Sequence, residues 1–185
     1  MKTKVDLAIY DNAWYKVGAS KFKQLLWYYC NALFLNASFF PINSVKLSLL
    51  RWFGASIGKG VVIKPNVNIK YPWKLSIGNH SWIGEGVWID NLAPVTIEDN
   101  CCISQGAMLL TGNHNFKKSS FDLMIGEIHL CSGSWVGAMT VVGPGVTLKE
   151  NAILTVGSVA SSDLDANSIY RGNPAVFTKK REISE

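Results

Sequence analysis

An aliphatic residue recurs every six positions through most of this 185-residue chain, starting at Ile57. Written in sixes, the sequence reads IGKGVV, IKPNVN, IKYPWK and, after two extra residues, IGNHSW, IGEGVW, IDNLAP. After a second two-residue insertion it continues as IEDNCC, ISQGAM, LLTGNH, and it resumes at Leu130 with LCSGSW, VGAMTV, VGPGVT, LKENAI, LTVGSV. A short fixed period predicts a solenoid whose units stack on their neighbours, because the alternation of a β-sandwich has a period of two.

The residues within each hexad indicate how one unit folds. The first position is aliphatic and must enter the core, and the fifth is small or β-branched, which allows a tight corner. Gly, Asn and Asp between them supply turn conformations. Three hexads then form one triangular coil, and residues 57–159, without the interruption, give about five coils. We predict an all-β solenoid over residues 55–166 with a protruding loop at 113–127, a helical and aromatic region at 1–54, and a C-terminal extension at 167–185.

The N-terminal region contains no charged residue between Lys23 and Lys46 and is rich in aromatic residues. Its polar residues divide it into two predicted helices, with Ser20 and Ser44 as N-caps. The apolar residues of the first helix follow helical spacing; they are Phe22, Leu25, Leu26, Tyr29 and Leu33. A helical cap packed on the solenoid is the favoured interpretation, and peripheral membrane association through residues 25–42 is the alternative.

The composition bears on the compartment. Asp6 and Asp11 interrupt the start of the chain, so the pattern of a secretory signal is absent, and the four cysteines lack CxxC spacing. These features predict reduced thiols and a cytoplasmic protein, at the inner face of the membrane if residues 25–42 bind lipid. The formal net charge of +5 suits a phosphate-bearing ligand or an anionic surface.

Several motifs narrow the assignment beyond the hexads: IKYPW, GEGVWIDNLAPV, TGNHNF and YRGNPAV. With the repeat, they resemble the hexapeptide-repeat acyltransferases, in particular the colanic acid and exopolysaccharide O-acetyltransferases, from about residue 26 to residue 180. The resemblance implies a left-handed parallel β-helix, a homotrimer with active sites at subunit interfaces, and acetyl-CoA as co-substrate without a metal.

His114 lies where the repeat breaks off and a loop leaves the coil. Acyl transfer to a hydroxyl needs a base for the hydroxyl proton, and the resemblance assigns that role to a histidine at this point. His80, inside a hexad, and His129, where the repeat resumes, are interpreted as structural. Three histidines also permit the zinc site of β-helical carbonic anhydrases, but their spacing lacks the close pair of that family.

Other residues are candidates for binding. Asp90 and Asn91, with Glu85, precede His114 by about one coil, Asn113 adjoins it, and Trp135 points out of the coil; these are the expected substrate-binding residues. Small residues leave backbone amides accessible to coenzyme A, and basic residues suit its phosphates. The expected cofactor-binding residues are Gly137, Ala138, Gly157, Ser158, Arg171, Lys179 and Lys180.

Together these features predict an acetyl-CoA-dependent O-acetyltransferase that acts on a sugar hydroxyl in exopolysaccharide or surface-polysaccharide biosynthesis, by direct transfer with His114 as general base. One alternative is another small acceptor, such as an antibiotic, an amino sugar, maltose or a galactoside. A β-helical scaffold without catalysis is the other, and His114 with the basic C-terminal segment argues against it.

Overall fold

The computed structural model describes residues 4–184, which form a parallel β-solenoid with three flat faces. Face A contains β1 (Ser56–Ile57), β4 (Leu75–Ile77), β7 (Val95–Ile97), β12 (Ile128–Leu130) and β15 (Thr147–Leu148). Face B contains β2 (Val62–Ile63), β5 (Trp82–Ile83), β8 (Cys102–Ile103), β13 (Trp135–Val136), β16 (Ile153–Leu154) and β18 (Ser168–Arg171), with β19 (Val176–Lys180) antiparallel at its edge. Face C contains β3 (Asn68–Ile69), β6 (Trp88–Asp90), β9 (Met108–Leu110), β14 (Val141–Val142) and β17 (Val159–Ala160).

The solenoid has about six turns, one more than the sequence predicts. The strand β18 continues face B in parallel with β16, and Leu164 forms a parallel bridge with Leu148 on face A. The additional turn escaped the hexad pattern because residues 160–167 depart from it. Part of the segment 167–185, expected to be an extension, therefore belongs to the coil stack.

The hexad positions have the roles that the sequence predicts. First-position residues such as Ile63, Ile83 and Leu109 are buried, and fifth-position residues such as Val87 and Ala107 are buried beside them. The fourth position adopts positive φ in most hexads, through glycine or asparagine in most cases and through His80 and Met139 in two. In those hexads, this left-handed residue turns the chain at the corner of the triangle.

The outward side chains differ between the faces. Face A carries a row rich in hydroxyls: Ser56, Ser76, Thr96, His129 and Thr147. Face B carries a largely apolar row: Val62, Trp82, Cys102, Trp135 and Ile153. Face C resembles face B, with Asn68, Trp88, Met108, Val141 and Val159. Faces B and C are thus the apolar sides of the prism.

Two helices cover the open end of the first coil: α1 (Lys21–Cys30), continued by a π-helical turn over Asn31–Leu35, and α2 (Asn43–Trp52). We call residues 21–53 the helical cap. Ser20 Oγ accepts a hydrogen bond from Lys23 N, which confirms it as N-cap. Ser44 is not an N-cap, because α2 begins one residue earlier. Asn43 instead bonds the first coil, donating to Val61 O and accepting from Ile63 N.

The cap forms hydrogen bonds with backbone groups at the edge of the first coil. Trp27 Nε1 donates to Ile69 O, and Asn31 Oδ1 accepts from Ile69 N. Lys46 is fully buried and its Nζ donates to Lys64 O at 2.9 Å; burial lowers the pKa of this amine. An open parallel edge would offer unpaired backbone groups to other chains. The favoured interpretation of the segment as a packed cap therefore agrees with these contacts.

The apolar stripe of helix α1 faces away from the solenoid, whereas a packed cap is expected to bury such a stripe. Phe22, Leu25, Tyr29 and Leu33 lie on its exposed side, with more than half of each side chain accessible, whereas Trp27 faces the core. Among residues 4–184, no helix has the length and apolarity needed to cross a bilayer.

Candidate active site

His114 ends β10 (Gly112–His114), which pairs with β11 (Leu123–Ile125) in a hairpin that leaves the corner between faces C and A. Its Nδ1 lies 2.9 Å from Phe121 O, and its ring stacks on the Phe121 ring with centroids 4.4 Å apart. A carbonyl oxygen only accepts, so Nδ1 carries the proton of the neutral imidazole. Nε2 therefore keeps its lone pair, as a general base requires.

The N-terminal segment 5–18 forms a wall beside this histidine. Tyr10 and His114 have ring centroids 5.7 Å apart, and Asp6 N donates to Ser119 O in the hairpin loop. Farther along, Tyr15 donates its hydroxyl to Leu92 O at 2.8 Å, and burial is the main reason why its pKa is raised. The sequence did not reveal this wall, because no periodicity or motif connects the first eighteen residues to the corner.

A groove of about 610 Å³ lies beside Asn113, on the side of face C toward the C-terminal coils. We call it the upper groove. Its walls are rich in glycine and aliphatic residues: Leu110, Gly112, Met124, Gly126, Val141, Gly143, Gly145, Val159 and Ala160 contribute to it. A Cβ at Gly126 would lie 2.5 Å from Gly145 N, so the two backbones meet directly there. The groove thus offers an apolar channel with exposed backbone.

A second groove, of about 330 Å³, lies on face C toward the cap; we call it the lower groove. It is lined by Gln24, Trp27, Tyr28, Asn68, Lys70, Tyr71, Trp88 and Asp90. Asp90 Oδ1 lies 2.8 Å from Lys70 Nζ. Asp90 is also the register partner of Leu110 in the upper groove, so the two grooves adjoin. Aromatic faces with carboxylate, amide and amine groups are suited to a polyhydroxylated ligand.

The structure places the residues that were expected to bind substrate in different parts of the solenoid. Asp90 lines the lower groove, and Asn113, which precedes His114 in β10, lines the upper groove. Asn91 is fully buried, and its amide bonds Tyr71 N and Tyr71 O, so it holds two coils together instead of facing a ligand. Glu85 lies at the corner between faces B and C, because the chain turns there in its hexad.

Trp135 and the small residues also lie away from His114 within one chain. Trp135 projects from face B and donates its Nε1 hydrogen to Ser104 Oγ at 2.9 Å. The four small residues occupy the corner between faces B and C; they are Gly137, Ala138, Gly157 and Ser158. Ser158 Oγ is buried there and accepts from Gly172 N. This corner and the His114 corner are separated by face C.

The basic C-terminal residues do not form one cluster. Arg171 ends β18 beside the corner between faces B and C, and it pairs in register with Val176. Lys180 lies at the other end of that strand, where its Nζ donates to Ser168 Oγ at 2.9 Å, and Lys179 adjoins it. Only Arg171 therefore lies near the expected small residues.

Within residues 4–184, one group of side chains has the spacing to hold a metal ion: Glu98, His129 and Cys131. Glu98 Oε1 lies 2.7 Å from His129 Nε2, and Oε2 accepts from Ser132 N and Oγ. The Ser132 amide, followed by the His129 and Ser132 side chains, holds the pKa of Glu98 below its ordinary value. This group, at face A, contains only one of the three histidines.

The chain was compared with known proteins. No family model matches it. It is 36% identical over 168 residues to WcaF of Escherichia coli K12, a proposed colanic acid biosynthesis acetyltransferase, covering 91% of this chain and 92% of the relative. The chain belongs to the hexapeptide-repeat acetyltransferases. The chain is also 29% identical over 146 residues to the galactoside O-acetyltransferase of E. coli K12, covering 75% of this chain and 68% of the relative.

The fold agrees with this assignment. A hexapeptide-repeat acetyltransferase from Vibrio cholerae, solved with acetyl coenzyme A, superposes with a TM-score of 0.78 at 20% identity, covering 90% of this chain and 92% of the other. The acetyltransferase therefore has the left-handed parallel β-helix of its structural neighbours, as the family resemblance implied.

Proposed function

We propose that the protein transfers acetyl from acetyl-CoA to a sugar hydroxyl in exopolysaccharide or surface-polysaccharide biosynthesis. One observation carries the proposal: the Nδ1 of His114 is held by Phe121 O, so that Nε2 keeps its lone pair, on a hairpin whose Asn113 lines the upper groove, which adjoins the lower groove of different chemistry. The two E. coli relatives, named for colanic acid biosynthesis and for a galactoside, support this acceptor class.

The chemistry follows from the state of the imidazole. Nε2 of His114 removes the proton of the sugar hydroxyl while that oxygen attacks the thioester carbonyl carbon. The tetrahedral intermediate collapses as the carbon–sulfur bond breaks, and the coenzyme A thiolate takes the proton from Nε2. Phe121 O holds the ring in place through both steps, and no acyl-enzyme is needed because both substrates are bound together.

We assign the acceptor to the lower groove and the donor to the upper groove. Asp90, Lys70 and Trp88 supply hydrogen bonds and an aromatic surface to a sugar. The upper groove is apolar, lined by backbone at several glycines and adjacent to Asn113, which suits the pantetheine arm of acetyl-CoA.

We propose that three copies of the chain complete the sites. Apolar rows on faces B and C, with Trp82 59% and Trp135 45% exposed, are typical of surfaces that meet another subunit. If face B of one copy approaches face C of the next, Trp135 and Arg171 reach the grooves of the neighbour. The same approach brings in the corner that contains Gly137, Ala138, Gly157 and Ser158.

We further propose that the enzyme works in the cytoplasm. All four cysteines are free, and burial raises the pKa of Cys101 and Cys102. Free thiols of this kind are compatible with a reducing compartment.

The reaction is tested by incubating the protein with acetyl-CoA labelled in its acetyl group and a panel of acceptors: galactosides, glucosides, maltose, an amino sugar and an aminoglycoside antibiotic. We expect label in an ester on a neutral sugar. Label found only in an amide would show that the acceptor is an amine and not a hydroxyl. If acetyl-CoA binds but no acceptor is labelled, the alternative of a β-helical scaffold without catalysis would be favoured.

A further inference from the structure

The charges of the chain are distributed unevenly. Between Asp11 and Glu85 there are eight lysines and one arginine and no acidic residue. Residues 85–185 contain eleven acidic and seven basic residues, so the net charge of +5 hides one strongly positive part and one negative part. The positive part contains the helical cap and the first coil, and its electrostatic field favours an anionic partner.

The outer surface of the cap is apolar. Phe22 is 76% exposed, Leu25 56%, Leu33 55% and Trp52 71%. Tyr29, Phe39 and Ile42 are more than half exposed on the same cap. Isolated apolar residues on a surface are ordinary, but a set of this size within residues 22–52 indicates an interaction surface.

Phe22 and Trp52 share one surface, and Leu25, Tyr29 and Leu33 follow Phe22 at helical spacing on the same exposed stripe. A shallow cavity of about 260 Å³ is lined by Phe22, Lys23, Leu26, Trp52 and Phe53, and so connects α1 with the end of α2. A second cavity, of about 380 Å³, adjoins Trp52 on its other side and follows α2 through Ser44, Val45, Ser48 and Leu49. Lys23 lines the first of these cavities and Lys21 is exposed at the start of α1, whereas the Arg51 guanidinium donates to Ile57 O and Gly58 O of the first coil.

We propose that the outer surface of the helical cap docks on an anionic phospholipid membrane, with α1 and α2 lying in the interface. Aromatic and leucine side chains next to cations are the residues that occupy the boundary between headgroups and acyl chains. The inner surface of the cap is already bound to the first coil through Trp27, Asn31 and Lys46, so docking requires no unfolding. The inference is independent of the proposed acetyl transfer.

Vesicle flotation with the full chain tests the proposal. The vesicles contain phosphatidylcholine alone or with about one third phosphatidylglycerol. We expect the wild type to float with the anionic vesicles, with a partition coefficient that falls as salt is raised. Leu25→Gln/Leu33→Gln should lower that coefficient by about tenfold or more, because two exposed apolar anchors are lost.

The matched control is Leu7→Gln/Ile183→Gln, which removes two side chains of similar exposure, 66% and 63%, outside the cap. It should stay within about twofold of the wild type, since neither residue belongs to the proposed surface. Circular dichroism and melting verify that each variant folds. Wild type that does not float with anionic vesicles would overturn the proposal, as would equal losses in both variants. An assembly in solution that only Leu25→Gln/Leu33→Gln breaks up would assign the surface to self-association instead.

Discussion

At the scale of single residues, His114 shows what the sequence could predict and what it could not. Its position at the break in the hexads marked it, because only there does the chain leave the coil. Its orientation depends on Phe121, seven residues away, whose backbone has a φ of +49° and whose carbonyl accepts from Nδ1. The sequence could not name this partner, because the hairpin pairing decides which carbonyl faces the ring.

Stacking on His114 should make Phe121 a positioning residue. Phe121→Ala keeps the carbonyl but removes the ring, whose contact is of the kind worth about 0.5–1.5 kcal/mol. We expect kcat to fall by about three- to tenfold, with little change in the KM for acetyl-CoA. Phe116→Ala, in the same loop and 74% exposed, is the control and should leave kcat unchanged. Steady-state rates that are equal in both variants would remove this role from Phe121.

Glu98 should stabilise the fold in a pH-dependent way. Its pKa is lowered in the folded protein, so its contribution is present above the ordinary value of 4.5 and is lost as the pH falls through the lower folded value. Glu98→Gln should reduce the melting temperature at pH 7, with a free-energy cost below about 1 kcal/mol because the group is partly exposed. The difference from the wild type should shrink toward pH 3. Glu150→Gln, at the same corner, is the control, and a loss at pH 7 that is no larger in Glu98→Gln than in this control would contradict the role of Glu98.

At the scale of elements, the coils were predictable and the cap was predictable only in part. A period of six is local, so each hexad reports its own strand and turn, and the buried first positions follow. The helix α1 is apolar on both sides, so its spacing could not say which stripe faces the core. Asn31, one of the polar residues of this segment, connects the cap to the first coil.

The contribution of that connection can be measured. Asn31→Ala removes the hydrogen bonds to Asn68 Oδ1 and from Ile69 N at the edge of β3. Unpaired groups there should cost about 1–3 kcal/mol, so the melting temperature should fall by about 2–10 °C at fixed protein concentration. Asn36→Ala changes an exposed asparagine of the same cap and should shift the melting temperature by less than about 1 °C. Equal shifts would mean that the connection contributes nothing specific.

At the scale of the whole molecule, the separation of the expected site residues is informative. Asp90 and Asn113 line adjoining grooves on face C and His114 follows Asn113 in the hairpin, while Trp135 and the small residues lie on face B and its far corner. A sequence does not reveal which corner of the solenoid a residue occupies. Residues that would act in one site only across two subunits can therefore appear to belong to one site within a single chain. His114 follows the third strand of face C and therefore lies about 10 Å, or two strand spacings, above the first coil. If the cap docks on a membrane, this height would place His114 within reach of a saccharide carried on a lipid.

The trimer is tested by sedimentation equilibrium. We expect a species of three times the 20.4 kDa chain mass. Trp82→Glu places a charge in the apolar row of face B and should dissociate it, whereas Ser76→Glu, in the hydroxyl row of face A, should not. A wild type that sediments as a monomer at micromolar concentration would contradict the proposed assembly.

The most direct measurement of the central claim is the initial rate of acetyl transfer from acetyl-CoA to an accepted sugar, with His114→Ala and His80→Ala compared with the wild type. Loss of a general base should lower kcat by about 10²–10⁴-fold in His114→Ala, with the KM for acetyl-CoA nearly unchanged. His80→Ala should retain most of the wild-type rate, since His80 occupies a turn at another corner. A His114→Ala variant that transfers acetyl at the wild-type rate would contradict the account.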